Sequence, residues 1–281
     1  MSSSPLDLLS DRPLRDLCAW TQVFAAAPIP VLGSSAQALE AMRLNEDDVD
    51  ASMLGEMIAA DPLMTLKVLI YAAANRPARV VTEPETVTAA LVLMGISPFF
   101  AAFGPQECVE DRLGAFPQAL AGLRDVMRRS HRAANFALGF AVHRMDPDAA
   151  MLRQAALLHD FAEMLLWCHA PALALRIRHA QDADPTLRSS VAQRATLNIE
   201  LPALQHALMQ QWRLPELLMR AMSGRHVDQT EVQHVLLAVR VARHTAGGWD
   251  NAAVPDDVRD VARLLNLSEP AAAALLDELD T

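Results

Sequence analysis

The stretch that most constrains this chain is Met151–Trp167, MLRQAALLHDFAEMLLW. Its apolar residues recur at helical spacing, and the spacing predicts one buried amphipathic helix. His159 and Asp160 sit inside that run of leucines. Polar groups are seldom placed there without a partner or a task. The first question is therefore whether the pair holds a metal or is held by other protein groups.

The rest of the composition favours helices around it. Of 281 residues, 52% are hydrophobic but only 5% aromatic. Alanine, leucine and methionine carry the apolar fraction, and these favour helix over sheet. Ten glycines leave few tight turns. The fold class expected is all-α. The net charge of −10 argues against a general nucleic-acid or anionic-membrane binder, which needs a basic face. The short cluster Arg124, Arg128, Arg129, Arg132 reads as a solvated helix face. Three scattered cysteines without a CxxC spacing make neither a disulfide framework nor a zinc knuckle. No secretory leader and no apolar run of spanning length is visible, so a cytoplasmic location is expected.

Punctuation divides the chain into short helices. Asp50 or Ser52 is placed to cap SMLGEMIAA, and Asp61 with Pro62 fits the N-cap and first position of the next helix. Thr82 to Thr86 opens another, closed by Gly95. Four or five short helices are expected in the first 110 residues. Glycines and prolines at 104–117 suggest a joint. The expected division is a flexible stretch at 1–12, an N-terminal helical lobe at 13–112 and a second helical lobe at 113–281. A long helix from about Pro117 to Met145 turns at Asp146-Pro147 into the His-Asp helix.

A helix-borne metal site needs imidazoles and carboxylates converging from several segments. His131 lies 16 residues before Pro147 and His159 lies 12 after it. Across an antiparallel hairpin their heights differ by only about 6 Å. Spacing alone does not fix whether they face each other. The alternative is that His159 and Asp160 are satisfied by His131, by backbone groups or by one of the arginines. Cys168-His169 lacks the groups of a thiol enzyme, and a buried structural cysteine is expected there.

The order H…HD on consecutive helices resembles the HD superfamily of metal-dependent phosphohydrolases. The blocks IPVLGSSAQALEAM, LGEMIAADPLMTLKVL, VTAALVLMGI, AALLHD and QQWRLPELLMRAMSGRH together resemble an HDOD domain, the HD-related output domain of bacterial signalling proteins. The resemblance covers roughly residues 20–245. It implies a two-lobed fold with an N-terminal helical lobe and a C-terminal HD-like lobe. It also exposes departures. The glycine and lysine often found after the His-Asp pair are absent from Phe161-Ala162-Glu163. Leu201 stands where the family often has a histidine, and its paired histidines correspond to Arg225-His226. The superfamily's distal aspartate falls near Arg243, and the asparagine of the first lobe is replaced or displaced around Ala73-Ala74-Asn75.

The resemblance thus implies an eroded site. At most His131, His159, Asp160 and His226 remain as metal ligands, and no cofactor is expected. His159 and Asp160 are expected to be structural. The resulting expectation is a non-catalytic signalling protein that binds another protein through a helix face or the groove between lobes. Its partner in trans would be a cyclic-dinucleotide enzyme or a two-component regulator. Two alternatives stay open: a metal-dependent phosphohydrolase, or a cyclic-dinucleotide sensor using Arg128, Arg132 or Arg225 without hydrolysis.

Overall fold

The computed structural model of the protein describes residues 12–76, 83–222 and 229–280. Its first helix, α1 (Leu17–Ala26), starts where the Asp16 carboxylate accepts the N–H of Ala19. α2 (Gly33–Arg43) begins without a side-chain cap from Leu32. A short 3-10 turn at Glu46–Asp48 leads to α3 (Ala51–Ala59). Asp50 caps α3 by accepting the N–H groups of Ser52 and Met53. Asp61 does the same for Leu63 and Met64 at the head of α4 (Pro62–Ala74). Each cap satisfies donors that a helix start otherwise strands. α5 (Val87–Met94) is capped by Thr86 and stopped by Gly95, whose φ of 85° suits a residue lacking Cβ. α6 (Ile96–Ala102) and α7 (Val109–Arg112) follow. The first segment thus carries more helices than expected, and α7 lies in the stretch read as a joint.

The long helix α8 (Pro117–His143) is present. After it come α9 (Ala149–Leu158), α10 (Phe161–His169), α11 (Pro171–Ala183), α12 (Ser189–Leu197) and α13 (Leu201–Gln211). The chain ends with α14 (Glu216–Met222), α15 (Thr230–His244), α16 (Val254–Leu265) and α17 (Glu269–Leu279). Among the described residues there is no strand, only an isolated parallel bridge between Val31 and Cys108. No described helix is long and apolar enough to cross a membrane.

The helices form two compact units, each drawn from two stretches of chain. The first takes the chain up to Val126 and Phe161–Leu214. Here α1 packs on α13, and α10 packs on α4, α11 and α13. Trp20 and Phe24 are fully enclosed, and the Trp20 indole donates to the carbonyl of Leu197 at 2.9 Å. Burying a side chain the size of Phe24 is worth roughly 2–3 kcal/mol. The second unit takes Met127–Asp160 and the chain from Pro215 onward. In it α15 packs on α9, α14 and α16, and α16 packs on α17. Phe136 and Phe140 of α8 are fully buried in this unit, as are Leu152, Leu158, Val232 and Val235.

Candidate functional site

The His-Asp pair lies in the second unit. α9 stops at Leu158, His159 keeps helical dihedrals as its cap, and α10 starts only at Phe161. The expected single helix over Met151–Trp167 is therefore two, and the break falls on the pair itself. A break before Phe161 places Asp160 ahead of a helix start, where negative charge is favoured.

Both carboxylate oxygens of Asp160 are taken. Arg243 of α15 donates from Nη2 to Oδ1 at 2.5 Å. Arg129 of α8 donates from Nη2 and Nε to Oδ2 at 2.9 and 3.3 Å. His159 places Nδ1 3.0 Å from Oδ1. A carboxylate only accepts, so that ring nitrogen is the donor. Burial alone would raise the Asp160 pKa. The charge of Arg243, the His159 hydrogen bond and the charge of Arg129 together hold it well below the usual carboxylate range. Asp160 is thus a fixed anion, clamped by two guanidinium groups.

The neighbouring arginine on α8 has a different task. Arg132 donates from Nε and Nη2 to the two oxygens of Asp280, at 2.6 and 2.8 Å. It also reaches Thr245 Oγ1 at 2.7 Å. This bidentate pair ties α8 to the residue closing α17, and the Trp249 indole adds a donor to Asp280 at 3.0 Å. So Arg129 and Arg132 do not belong to a solvated helix face, as their spacing implied. Their side chains are only 20% and 21% exposed and are committed to ion pairs.

A second network stands one turn away. His244 Nδ1 lies 2.6 Å from Oδ2 of the buried Asp257, and Arg240 Nε lies 2.7 Å from its Oδ1. Arg240 Nη2 also donates to Asp260 Oδ2 at 2.5 Å, and Arg263 Nη1 donates to Asp260 Oδ1 at 3.0 Å. Sequence reading missed these residues. The signal was present as Arg240, Arg243 and His244 on one face of α15, and Asp257 and Asp260 on one face of α16. What spacing could not supply was that the two faces meet.

His131 is half-buried on α8, and Arg128 is exposed there. Leu201 is the buried first residue of α13. Asn75 caps α4 and turns its amide to the Tyr71 carbonyl at 2.9 Å. Arg225 and His226 lie outside the described residues. Among the described residues no group of three or more His, Cys, Asp or Glu is placed to hold a metal. Among the described residues Asp160 fits a divalent ion poorly: it is already neutralised, and Arg243 stands against it with the wrong charge.

The described residues form an all-helical fold with a His-Asp pair at the corner between α9 and α10. The sequence matches the HDOD domain over residues 29–227, and the chain belongs to that family. Its fold is similar to that of the MmoQ response regulator from Methylococcus capsulatus, with a TM-score of 0.63 at 18% identity, covering 90% of this chain and 99% of that one. It is also similar to a virulence factor from Campylobacter jejuni, with a TM-score of 0.65 at 13% identity, covering 94% and 98%. A comparison with functionally curated proteins returned no match.

Proposed function

We infer that this HDOD protein is a non-catalytic component of a bacterial cytoplasmic signalling system. It acts by binding a signalling protein supplied in trans, a two-component regulator or a cyclic-dinucleotide enzyme. The observation that carries the reading is the state of Asp160. Each of its oxygens is held by a guanidinium group, which disfavours Asp160 as a ligand for metal-assisted hydrolysis. The signalling context is supported by HDOD membership and by the fold shared with a response regulator.

Elemental analysis of the purified protein, joined to a phosphoester turnover assay with manganese, iron, nickel and magnesium, tests this reading. The expected result is substoichiometric metal and no turnover. Tightly held stoichiometric metal, with turnover abolished in Asp160→Ala and His159→Ala, would establish the phosphohydrolase instead. The partner is sought by capture on the wild-type protein with each candidate class purified. Absence of binding to either class would remove the interaction part of the reading.

A further inference from the structure

A cleft of about 650 Å³ opens in the second unit, walled by α15, α16 and the His159 corner. That volume lies within the range of small-molecule sites, about 300–1,000 Å³. Its polar wall carries Arg240, Arg243, Arg263, His159 and His244, with Asp260 as the one carboxylate among its described lining residues. Leu236, Val239 and Leu264 form an apolar side. We propose that this cleft binds an organic phosphate of nucleotide size, with Arg240, Arg243 and Arg263 on the phosphate and the leucine-valine side under the organic part.

Three features of the molecule carry the assignment. First, the arginines are anchored. Arg243 is held by Asp160 and Arg240 by Asp257, and those two carboxylates are 7% and 3% exposed. A guanidinium fixed from behind loses little side-chain freedom when an anion arrives. Second, donors are left over. A guanidinium has five N–H groups. Arg243 spends Nη2 on Asp160, and Arg263 spends Nη1 on Asp260. The side chains of Arg240, Arg243 and Arg263 remain 42%, 48% and 70% exposed. Third, the cations are gathered. Arg240, Arg243 and Arg263 line one cleft beside the imidazoles of His159 and His244. They do so in a protein of net charge −10. Planar guanidinium groups suit phosphate oxygens in pairs.

This site differs from the Arg128, Arg132 and Arg225 set expected from sequence. It requires neither metal nor hydrolysis and stands independently of any protein partner. Isothermal titration of the full chain with pyrophosphate, AMP, GMP and citrate tests it. Saturable binding of the phosphates is expected, with AMP or GMP tighter than pyrophosphate because of the apolar side. Arg263→Gln, the change least coupled to the buried carboxylates, should weaken binding about tenfold with unaltered melting. Arg243→Gln should weaken it at least as much. Absence of phosphate binding at millimolar ligand, binding of citrate alone, or undiminished binding in both variants would each overturn the proposal.

Discussion

Arg243 Nη2 lies 2.5 Å from Asp160 Oδ1, so a cation stands directly against the carboxylate of the His-Asp pair. Arg129 closes the other oxygen. A buried anion with two such partners is costly to disturb from one side only, because removing it leaves cations without their counter-charge. Asp160→Asn is expected to lower stability by about 3 kcal/mol, measured by chemical denaturation at pH 7. Arg243→Leu should cost less, about 1 kcal/mol, because that side chain is half exposed and solvent screens it. The coupling should appear in a double-mutant cycle. Because the Asp160 pKa is depressed on folding, its contribution is present above ~4 and lost as pH falls below that.

A second acid sensitivity belongs to His169. Arg112 Nη2 lies 3.0 Å from His169 Nδ1 and can only donate, so that nitrogen accepts and the proton sits on Nε2. Nε2 is buried without a hydrogen-bond partner. Burial first, and the Arg112 charge second, push the pKa down to about 3. The unfolded chain therefore takes up a proton near 6.5 that the folded chain refuses. Stability is full above that value and falls as pH drops towards the folded one. Between pH 7 and pH 5 the loss from this residue should be about 2 kcal/mol. Urea titrations at the two pH values should show that difference, and His169→Gln should remove most of it.

His234 is wholly buried on α15 with neither ring nitrogen hydrogen-bonded. An unpaired buried donor carries a desolvation penalty of about 1–3 kcal/mol. His234→Leu is expected to raise stability by about 1 kcal/mol and the melting temperature by about 2–4 °C. Burial, then the charge of Arg144, also lowers the His234 pKa. The variant should accordingly lose less stability than wild type on acidification. Scanning calorimetry at pH 7 and pH 5 checks both effects.

Two glycines of α8 should respond differently to alanine. A Cβ on Gly122 would meet the Trp167 indole at 2.6 Å, and a Cβ on Gly139 would meet the Leu279 methyl ends at 2.3 and 2.6 Å. Alanine in place of glycine favours a helix by about 1 kcal/mol. The enclosed indole has little room to yield, so Gly122→Ala should be destabilising by about 1–3 kcal/mol. The end of a leucine side chain can rotate away, so Gly139→Ala should stay within about 1 kcal/mol of wild type. Melting curves of the pair separate the two cases.

Helices and their caps were legible in the sequence because they are local. As caps, Asp50, Asp61, Thr86 and Gly95 each act within one turn of chain, and each stands where its residue type implies. The fate of the His-Asp pair was less so. Apolar spacing runs without interruption across His159 and Asp160, so it could not reveal the break there, nor that Asp160 meets Arg129, 31 residues away, and Arg243, 83 residues away. The same limit misplaced the arginines of α8. Their spacing was helical and correctly read, but Asp280, which fixes Arg132, lies 148 residues further on. Arg243 was recognisable as a cation in an anion's place, and the structure adds that it grips Asp160 directly.

The division of each compact unit between two stretches of chain bears on how this protein can be dissected. A fragment ending at Val126 would keep Trp20 but lose Leu197, which receives its indole proton, and would leave Arg112 without the Cys168 carbonyl it meets at 2.9 Å. A fragment covering Met127–Asp160 would hold Asp160 and Arg129 without Arg243. Deletion series that cut the chain into successive halves therefore remove part of both units at once. Loss of activity in such a truncation reports collapse of the scaffold, and the roles of the two units are separable only by point substitutions within the intact chain.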